Sequence, residues 1–417
     1  MLERRLTPGE ASSAARIQVA IDELAGTGGR LVLPEMALTL DRGLCLRSGV
    51  ELTGQGAGTV LRKGEGRVYP LSGYHNYGMC DLPLRSTAGL EVGMTVSIHD
   101  NRTHGGFYET FATITRVDED WVGLDHGIEA DYSASEEPCL TTVYPLVFGH
   151  GIFAAALRDL RLEGNRQENE KGMGGCRGGA VYFAKSRDLE VTGVEERDYY
   201  GEGLSFQMCR DVRILRCRFD DNTGNGLHPG AGSTNALFEG CVGSGNHKSG
   251  FFFCVRANHI TVRGCTFTRN GSGISIGTRD CYNHIDTCAV EDNSGPGVLI
   301  RKSPAPTEVH SCLVSDCKIA GNATKGGRGQ VEMVSDAHDL VFADNEVAGS
   351  TQLRKAGFFV ESSVRRVFLE GNRIAGCGPD VDASDTSLAS ERPFLECGYG
   401  SAPEGAFLHL PRLKPGG

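Results

Sequence analysis

An all-β fold, a right-handed parallel β-helix solenoid with an N-terminal helical cap and a small β insertion, is predicted by three periodic features of the sequence. Residues 179 to 302 read GAVYF, GLSFQ, GLHPG, GFFFC, GISIG and GVLIR from Gly179, Gly203, Gly226, Gly250, Gly273 and Gly297, a repeat of 23 or 24 residues. Cys217, Cys241, Cys265, Cys288 and Cys312 keep the same interval, as do Asn222, Asn246, Asn270 and Asn293. A period of this size marks a repeat architecture whose units bury their apolar faces against each other. Within each unit, short β-branched runs such as Val212 to Leu215 and Ile260 to Val262 lie between turn signals, which favours strands over helix. The cysteines then form an inward ladder and the asparagines an amide ladder at a turn, on coils stacked ~4.8 Å apart.

The chain divides into four stretches. Residues 1–63 form an N-terminal cap and first coils: Ile17, Ala20, Ile21 and Leu24 recur at helical spacing in 11–25, and three short strands with glycine turns follow over 26–63. A cap is needed because an open coil exposes core and backbone edge. Residues 64–147 break the repeat with alternating strands and read as a β insertion. It holds the only Trp, Trp121, and a polar aromatic stretch from His99 to Tyr108, and either shields the solenoid flank or walls a substrate cleft. Coils resume over 148–377, with LRDLRLEGN, SRDLEVTGV, CRDVRILRC, ANHITVRGC, AHDLVFADN and VRRVFLEGN as versions of one strand. Residues 378–417 lose the repeat and read as a C-terminal cap or tail.

Composition narrows the function classes. Glycine is 58 of 417 residues, which suits many tight turns, and the net charge of −11 without a basic block argues against a nucleic-acid partner. It leaves room for an acidic sugar, since a local basic cleft can sit on an acidic body. No apolar run of membrane-spanning length occurs and the N-terminus lacks a signal-peptide core, so no membrane partner is expected and a cytoplasmic location is favoured, with a secreted one the alternative if a leader has been removed. Cys312 with Cys317 lacks a second pair for zinc, so most of the 15 cysteines read as reduced thiols. No cofactor is expected, calcium being the one candidate through clustered Asp and Asn. A monomer and a homo-oligomer both suit a solenoid.

Side chains alternate along the strand after each repeat glycine. Leu204, Leu227, Phe251, Ile274 and Val298 fall in one inward row; Ser205, His228, Phe252, Ser275 and Leu299 fall in the outward row beside it. Gln207, Gly230, Cys254, Gly277 and Arg301 form a second outward row. Tyr199, Tyr200, Glu202, Asp220, Asp221, His247 and Lys248 precede these strands, and Arg256 and Arg279 follow them. The candidate catalytic set is His228, Lys248, Arg256, Tyr199 and Tyr200, with His228 expected on solvent in mid-groove. Glu202, Gln207, Asp220, Asp221, His247, Arg279 and Arg301 are candidate substrate contacts. Elimination or epimerisation of a uronic sugar needs a base, a cation for the enolate and an acid. A glycoside hydrolase needs two carboxylates, for which Asp198, Glu202, Asp220 and Asp221 are available. A non-catalytic glycan-binding or spike-like solenoid is the third class.

The run from 211 to 302 resembles the β-helix module of alginate C5-epimerases and related polysaccharide lyases. Their Asp-Pro-His-Glu signature falls at Leu227-His228-Pro229-Gly230-Ala231, where Pro229 is kept, His228 stands for the Asp, and Gly230 and Ala231 replace the His and Glu. GISIGTRD at 273 and GVLIRKS at 297 resemble polygalacturonase stretches, with Ser272 at the family's His. These resemblances imply a carbohydrate-active β-helix protein with a poly- or oligosaccharide in a groove.

Overall fold

The computed structural model describes residues 2–73, 75–100, 109–142, 144–170, 178–349, 352–384 and 386–403. Residues 101–108 of the polar aromatic stretch and 404–417 of the tail lie outside them. Three parallel sheets wind about one axis: one of 12 strands and two of 11. Each full coil visits the sheets in one order, as in Leu204–Gln207, Arg210–Leu215 and Arg218–Asp220. We call these the groove sheet, the second sheet and the third sheet. One continuous core fills the solenoid from Leu6 to Val367.

The cap is the helix Ala14–Ala25, whose N-terminus is closed by the Ser13 hydroxyl accepting from the Arg16 amide. Ala14, Ile17, Ala20, Ile21 and Leu24 are its buried stripe, and it lies against the strands Gly29–Val32 and Val50–Thr53 of the first coils. The insertion is a six-stranded antiparallel sheet between Val68–Pro70 and Cys139–Thr141 with its own core, including Leu82, Val96, Ile98, Ile114 and Leu140. The tail folds back over the second sheet. Val367 exchanges backbone bonds with Ser387 and Ala389, and the Gly398 amide donates to the Tyr282 carbonyl at 2.8 Å. The Tyr399 amide then donates to Thr261 Oγ1 at 2.8 Å and the Gly400 amide to Asn235 Oδ1 at 2.7 Å. The described part of the tail thus crosses the coils of 235 to 367 on the second sheet.

Both ladders are present, with one change of member. Asn222, Asn246, Asn270 and Asn293 each donate their amide to the next Oδ1, at 3.0, 3.1, 3.1 and 2.8 Å, and the series runs on to Asn322. Cys217, Cys241, Cys265 and Cys288 are buried free thiols stacked at the turn between the second and third sheets. The fifth member is Cys317, whose thiol accepts from the Cys288 amide at 3.3 Å. Cys312 lies instead within the strand His310–Ser315, in register with Leu340. The coil that follows Cys288 has a longer turn after Arg301, so the 24-residue interval to Cys312 does not keep register.

A second surprise lies inside the first coils. Lys63 is fully buried, its Nζ donating to the Gly64 carbonyl at 3.0 Å and lying 4.0 Å from the centre of the Tyr144 ring. Burial lowers its pKa from 10.5 to about 7.

Two outcomes test this packing. Cys265→Ser is expected to lower stability by about 1–3 kcal/mol in chemical denaturation, because the shorter hydroxyl sits poorly where the thiol packed and bonded; an unchanged midpoint would place the ladder outside the core. For Lys63, the folded pKa lies below the unfolded one. The unfolded chain alone binds the proton between about 7 and 10.5, so stability rises with pH across that window and the full penalty applies below it. Lys63→Met is expected to flatten that rise and to stabilise the protein at pH 7 by on the order of 3–5 kcal/mol, read from urea midpoints at the two ends of the window.

Candidate functional site

The groove sheet sets the geometry of the site. Its register pairs Tyr182 with Ser205 and Ser205 with His228. It then pairs Phe252 with Ser275, Leu299, Glu332, Phe359 and Asp382 in turn. These residues form one outward row along the solenoid. The row is buried at Tyr182, Ser205 and His228, half-buried at Phe252, Leu299 and Phe359, and open at Asp382.

His228 is the centre of a polar cluster on this face. It is 1% exposed rather than open to solvent in mid-groove. Its Nδ1 lies 3.4 Å from Glu202 Oε2, an ion pair when the ring is charged, and the Cys254 side chain also flanks the ring. Burial works to discharge the ring; the flanking Cys254 and Glu202 side chains outweigh it and lift the imidazole to about 9. Glu202 is itself fixed by accepting from the Asn225 amide at 2.8 Å. Gln207 accepts from the Ala231 amide at 2.6 Å and donates to Ser205 at 3.0 Å. It lies across Gly230, where a Cβ would come 1.9 Å from its Nε2; the glycine is what lets it lie there.

Arg301 repeats this arrangement farther along. A Cβ on Gly277 would fall 2.0 Å from its Nη2. The guanidinium lies 4.1 Å from the centre of the Phe252 ring and donates to Ser275 Oγ at 2.9 Å and to the Phe253 carbonyl at 2.8 Å. Its Nη2 is 3.5 Å from Asp280. Asp280 is fully buried and accepts from the Ala257 and Gly277 amides at 3.0 and 2.8 Å. Burial raises its pKa to about 6, against Arg301, those amides and His228. The His228 and Phe252 rings meet edge to face with centres 5.0 Å apart, so imidazole, phenyl and guanidinium lie in one cluster across neighbouring coils.

The remaining predicted residues fall elsewhere. Tyr199 is fully buried inside the turn, its hydroxyl donating to the Tyr144 carbonyl at 2.8 Å, and Tyr200 beside it is half-buried. His247 and Lys248 are exposed at the turn entering the groove sheet, and Arg256 and Arg279 are exposed at the turn leaving it. Lys248 and Arg256 therefore stand at opposite edges of one strand and do not meet His228. Asp220 pairs with Arg218 at 2.6 Å on the third sheet, and Asp221 lies on the turn after it. A cleft there is lined by Arg62, Glu163, Arg166, Arg197, Asp198 and Asp221. Its arginines are held by Glu168, Asp198 and Glu163. Among the described residues no group of three or more His, Cys, Asp or Glu is arranged to hold a metal ion.

Several members of the face were not reached from the sequence. Asp280, Tyr182 and the pair Arg328–Phe359, with Cζ 3.9 Å from the ring centre, are among them. Aligning the glycines puts Val181 level with Ser205, whereas Tyr182 holds that place. Ala180 takes the position of the repeat glycine there, and only the paired register reveals it.

The Glu202–His228 pair makes a measurable claim. The ring is charged more readily in the folded protein, so the stability from this pairing is complete below about 6.5 and is lost as pH rises through about 9. Glu202→Gln keeps the acceptor for Asn225 and removes the charge. By nuclear magnetic resonance the His228 midpoint is expected to fall by about 1–3 units; an unmoved midpoint would show that Glu202 does not hold the proton there.

Comparison with known proteins agrees on the architecture. A family profile described as the right handed beta helix region matches residues 179–337. The chain is similar to the A-module of the mannuronan C-5 epimerase AlgE4 of Azotobacter vinelandii, at 17% identity and a TM-score of 0.58 over 93% of this chain and 97% of that one. The AlgE6 A-module from the same organism gives 18% identity and a TM-score of 0.59 over 92% and 97%. A hyperthermoactive exopolygalacturonase from Thermotoga maritima gives 12% identity and a TM-score of 0.51 over 94% and 92%. No match is found among curated protein sequences. With the coil register, these likenesses identify the chain as a right-handed parallel β-helix.

Proposed function

We propose that the protein acts on a polysaccharide laid along the outward row of the groove sheet, by elimination or C5-epimerisation at a uronic sugar. The observation that carries this reading is the His228 imidazole: buried on the groove face, paired with Glu202 at 3.4 Å and lifted to about 9. A buried charged pair adds little to folding stability, and perturbed titratable groups gather at functional sites. At neutral pH this ring holds its proton, so its role is to donate to the sugar or stabilise negative charge, and not to act as the base. Arg301, over the Phe252 ring, is the cation for the carboxylate next to the reacting carbon, and Glu202, the carboxylate beside His228, is the base that takes the C5 proton as that charge builds. The proposal also draws on the similar structures, two mannuronan C-5 epimerase A-modules and one exopolygalacturonase.

Hydrolysis by paired carboxylates is less favoured. Glu202 and Asp280 each accept backbone amides, and Asp198 and Asp220 are paired with arginines on another face. Binding without chemistry is the second reading, supported by the half-buried apolar members Phe252, Leu299 and Phe359 along the row.

The test is a screen of uronate polymers followed by ultraviolet absorbance for elimination, nuclear magnetic resonance for inversion at C5, and reducing ends for hydrolysis. His228→Gln and Arg301→Ala are expected to lower turnover by ~10²–10³, with thermal unfolding checked in parallel. Activity of the parent protein should fall as pH rises through about 9. Full activity in both variants would remove this site from the reaction, and binding without turnover would leave the second reading.

A further inference from the structure

The insertion and the groove sheet meet at one end of the row, and that contact has a consequence for which part of a polymer fits. The strand Thr110–Val117 of the insertion carries Phe111, which belongs to the solenoid core rather than to the core of its own sheet. Its ring lies on the groove face, 5.6 Å from the centre of Tyr182 and 6.5 Å from that of His150. Phe148 completes the cluster at 6.3 Å from His150. A sugar between Phe111 and Tyr182 would need about 7–8 Å, two carbon contact distances. The row is therefore closed at Tyr182.

The other direction is different. From His228 the row continues through Phe252, Ser275, Leu299, Glu332 and Phe359 to the exposed Asp382, and the described residues of the tail, to 403, lie across the second sheet instead. Phe252 and Phe359 are half-buried, and each carries an arginine on its ring, Arg301 and Arg328. Four coil steps separate them, about 19 Å, which matches roughly four sugar rings at the coil spacing. Each pair offers an apolar ring with an arginine beside it; Arg328 is also bonded to Glu332 at 3.1 Å, as Arg301 is paired with Asp280, so a sugar carboxylate would share a guanidinium already held in place.

We infer that the groove takes the end of an anionic polysaccharide, with the terminal units at His228 against the insertion and the chain leaving over Phe252 and Phe359. This rests on the polysaccharide reading above and adds chain-end specificity to it. A through-groove would accept the polymer anywhere along its length; a groove closed beside its reactive group accepts only an end.

Binding stoichiometry tests this without requiring turnover. The full chain is titrated calorimetrically with oligogalacturonate and oligoalginate dimers and pentamers and with the long polymers. One protein per chain is expected for pentamer and polymer alike, with affinity rising from dimer to pentamer and then flat. Several proteins per long chain would overturn chain-end binding while leaving the groove reading intact. No binding to any of these would overturn both. Arg328→Ala, at the open end, is expected to weaken the pentamer about tenfold, one charge-assisted contact, and to leave the dimer unchanged; equal loss for both would overturn the placement of the chain. Phe111→Ala is expected to allow more than one protein per polymer. Retained single occupancy in a variant whose unfolding stays cooperative would show that Phe111 is not the stop.

Discussion

The structure depends on the asparagine ladder. Each of Asn222, Asn246, Asn270 and Asn293 turns a buried amide toward the next coil, where the neighbouring Oδ1 accepts both that side-chain amide and a backbone N–H. The second proton of the amide in Asn246, Asn270 and Asn293 goes to the carbonyl of Phe219, Gly243 and Phe267. A turn buried in this way would otherwise leave amides without water, at a cost of a few kcal/mol each, roughly 1–3 by mutational measure. The ladder is satisfied only if successive coils stay in step. Coils that stay in step also bring their outward side chains into rows, so the order of the groove face follows from a constraint at the turn.

The ladder ends where its partners change chemistry. At one end Asn222 Nδ2 donates to Glu196 at 2.9 Å, and the place of the next asparagine is taken by Tyr199, whose amide donates to Asn222 Oδ1 at 2.8 Å. Glu196 is buried inside the solenoid, where burial raises its pKa well above the usual carboxylate range, and it closes the series as the acceptor for Asn222. At the other end Gln330 accepts from the Asn322 amide at 2.8 Å and donates back to its carbonyl at 2.9 Å. His228, Phe252, Ser275 and Arg301 all lie on coils within these limits. The polar face is thus built on the most regular part of the solenoid, where the spacing between groups is best fixed.

What could be read from the sequence follows the same division. The helix, the coils and the rows through Leu204 to Val298 and Ser205 to Leu299 were legible, because a strand alternates and a repeat keeps time. The substitution of Cys317 for Cys312 was not, since a loop of extra residues changes the count without changing the register. Lys248 and Arg256 flank one strand in the sequence, but a strand is extended, so its two ends are held apart by its own length. Arg301 and Asp280 are 21 positions apart and meet because Arg301 lies back across Gly277 onto the preceding coil. A linear pattern carries no information about which long side chain reaches over which glycine.

The exposure of His228 was the largest departure, and its cause bears on function. An outward position on a strand is open only if nothing covers the sheet, and here the early coils of the groove face are buried at Tyr182, Ser205, Gln207 and His228. For packing alone, a phenylalanine or leucine at 228 would suit such a place, as Phe252 does one coil on. A charged imidazole beside a buried carboxylate is a poor source of stability, because removing both ions from water offsets much of their attraction. The cluster is therefore better explained by chemistry than by folding. The same burial that makes the ring costly also strengthens any charge it meets, so a carboxylate brought to this face would interact with His228 and Arg301 far more strongly than with the exposed Lys248 or Arg256.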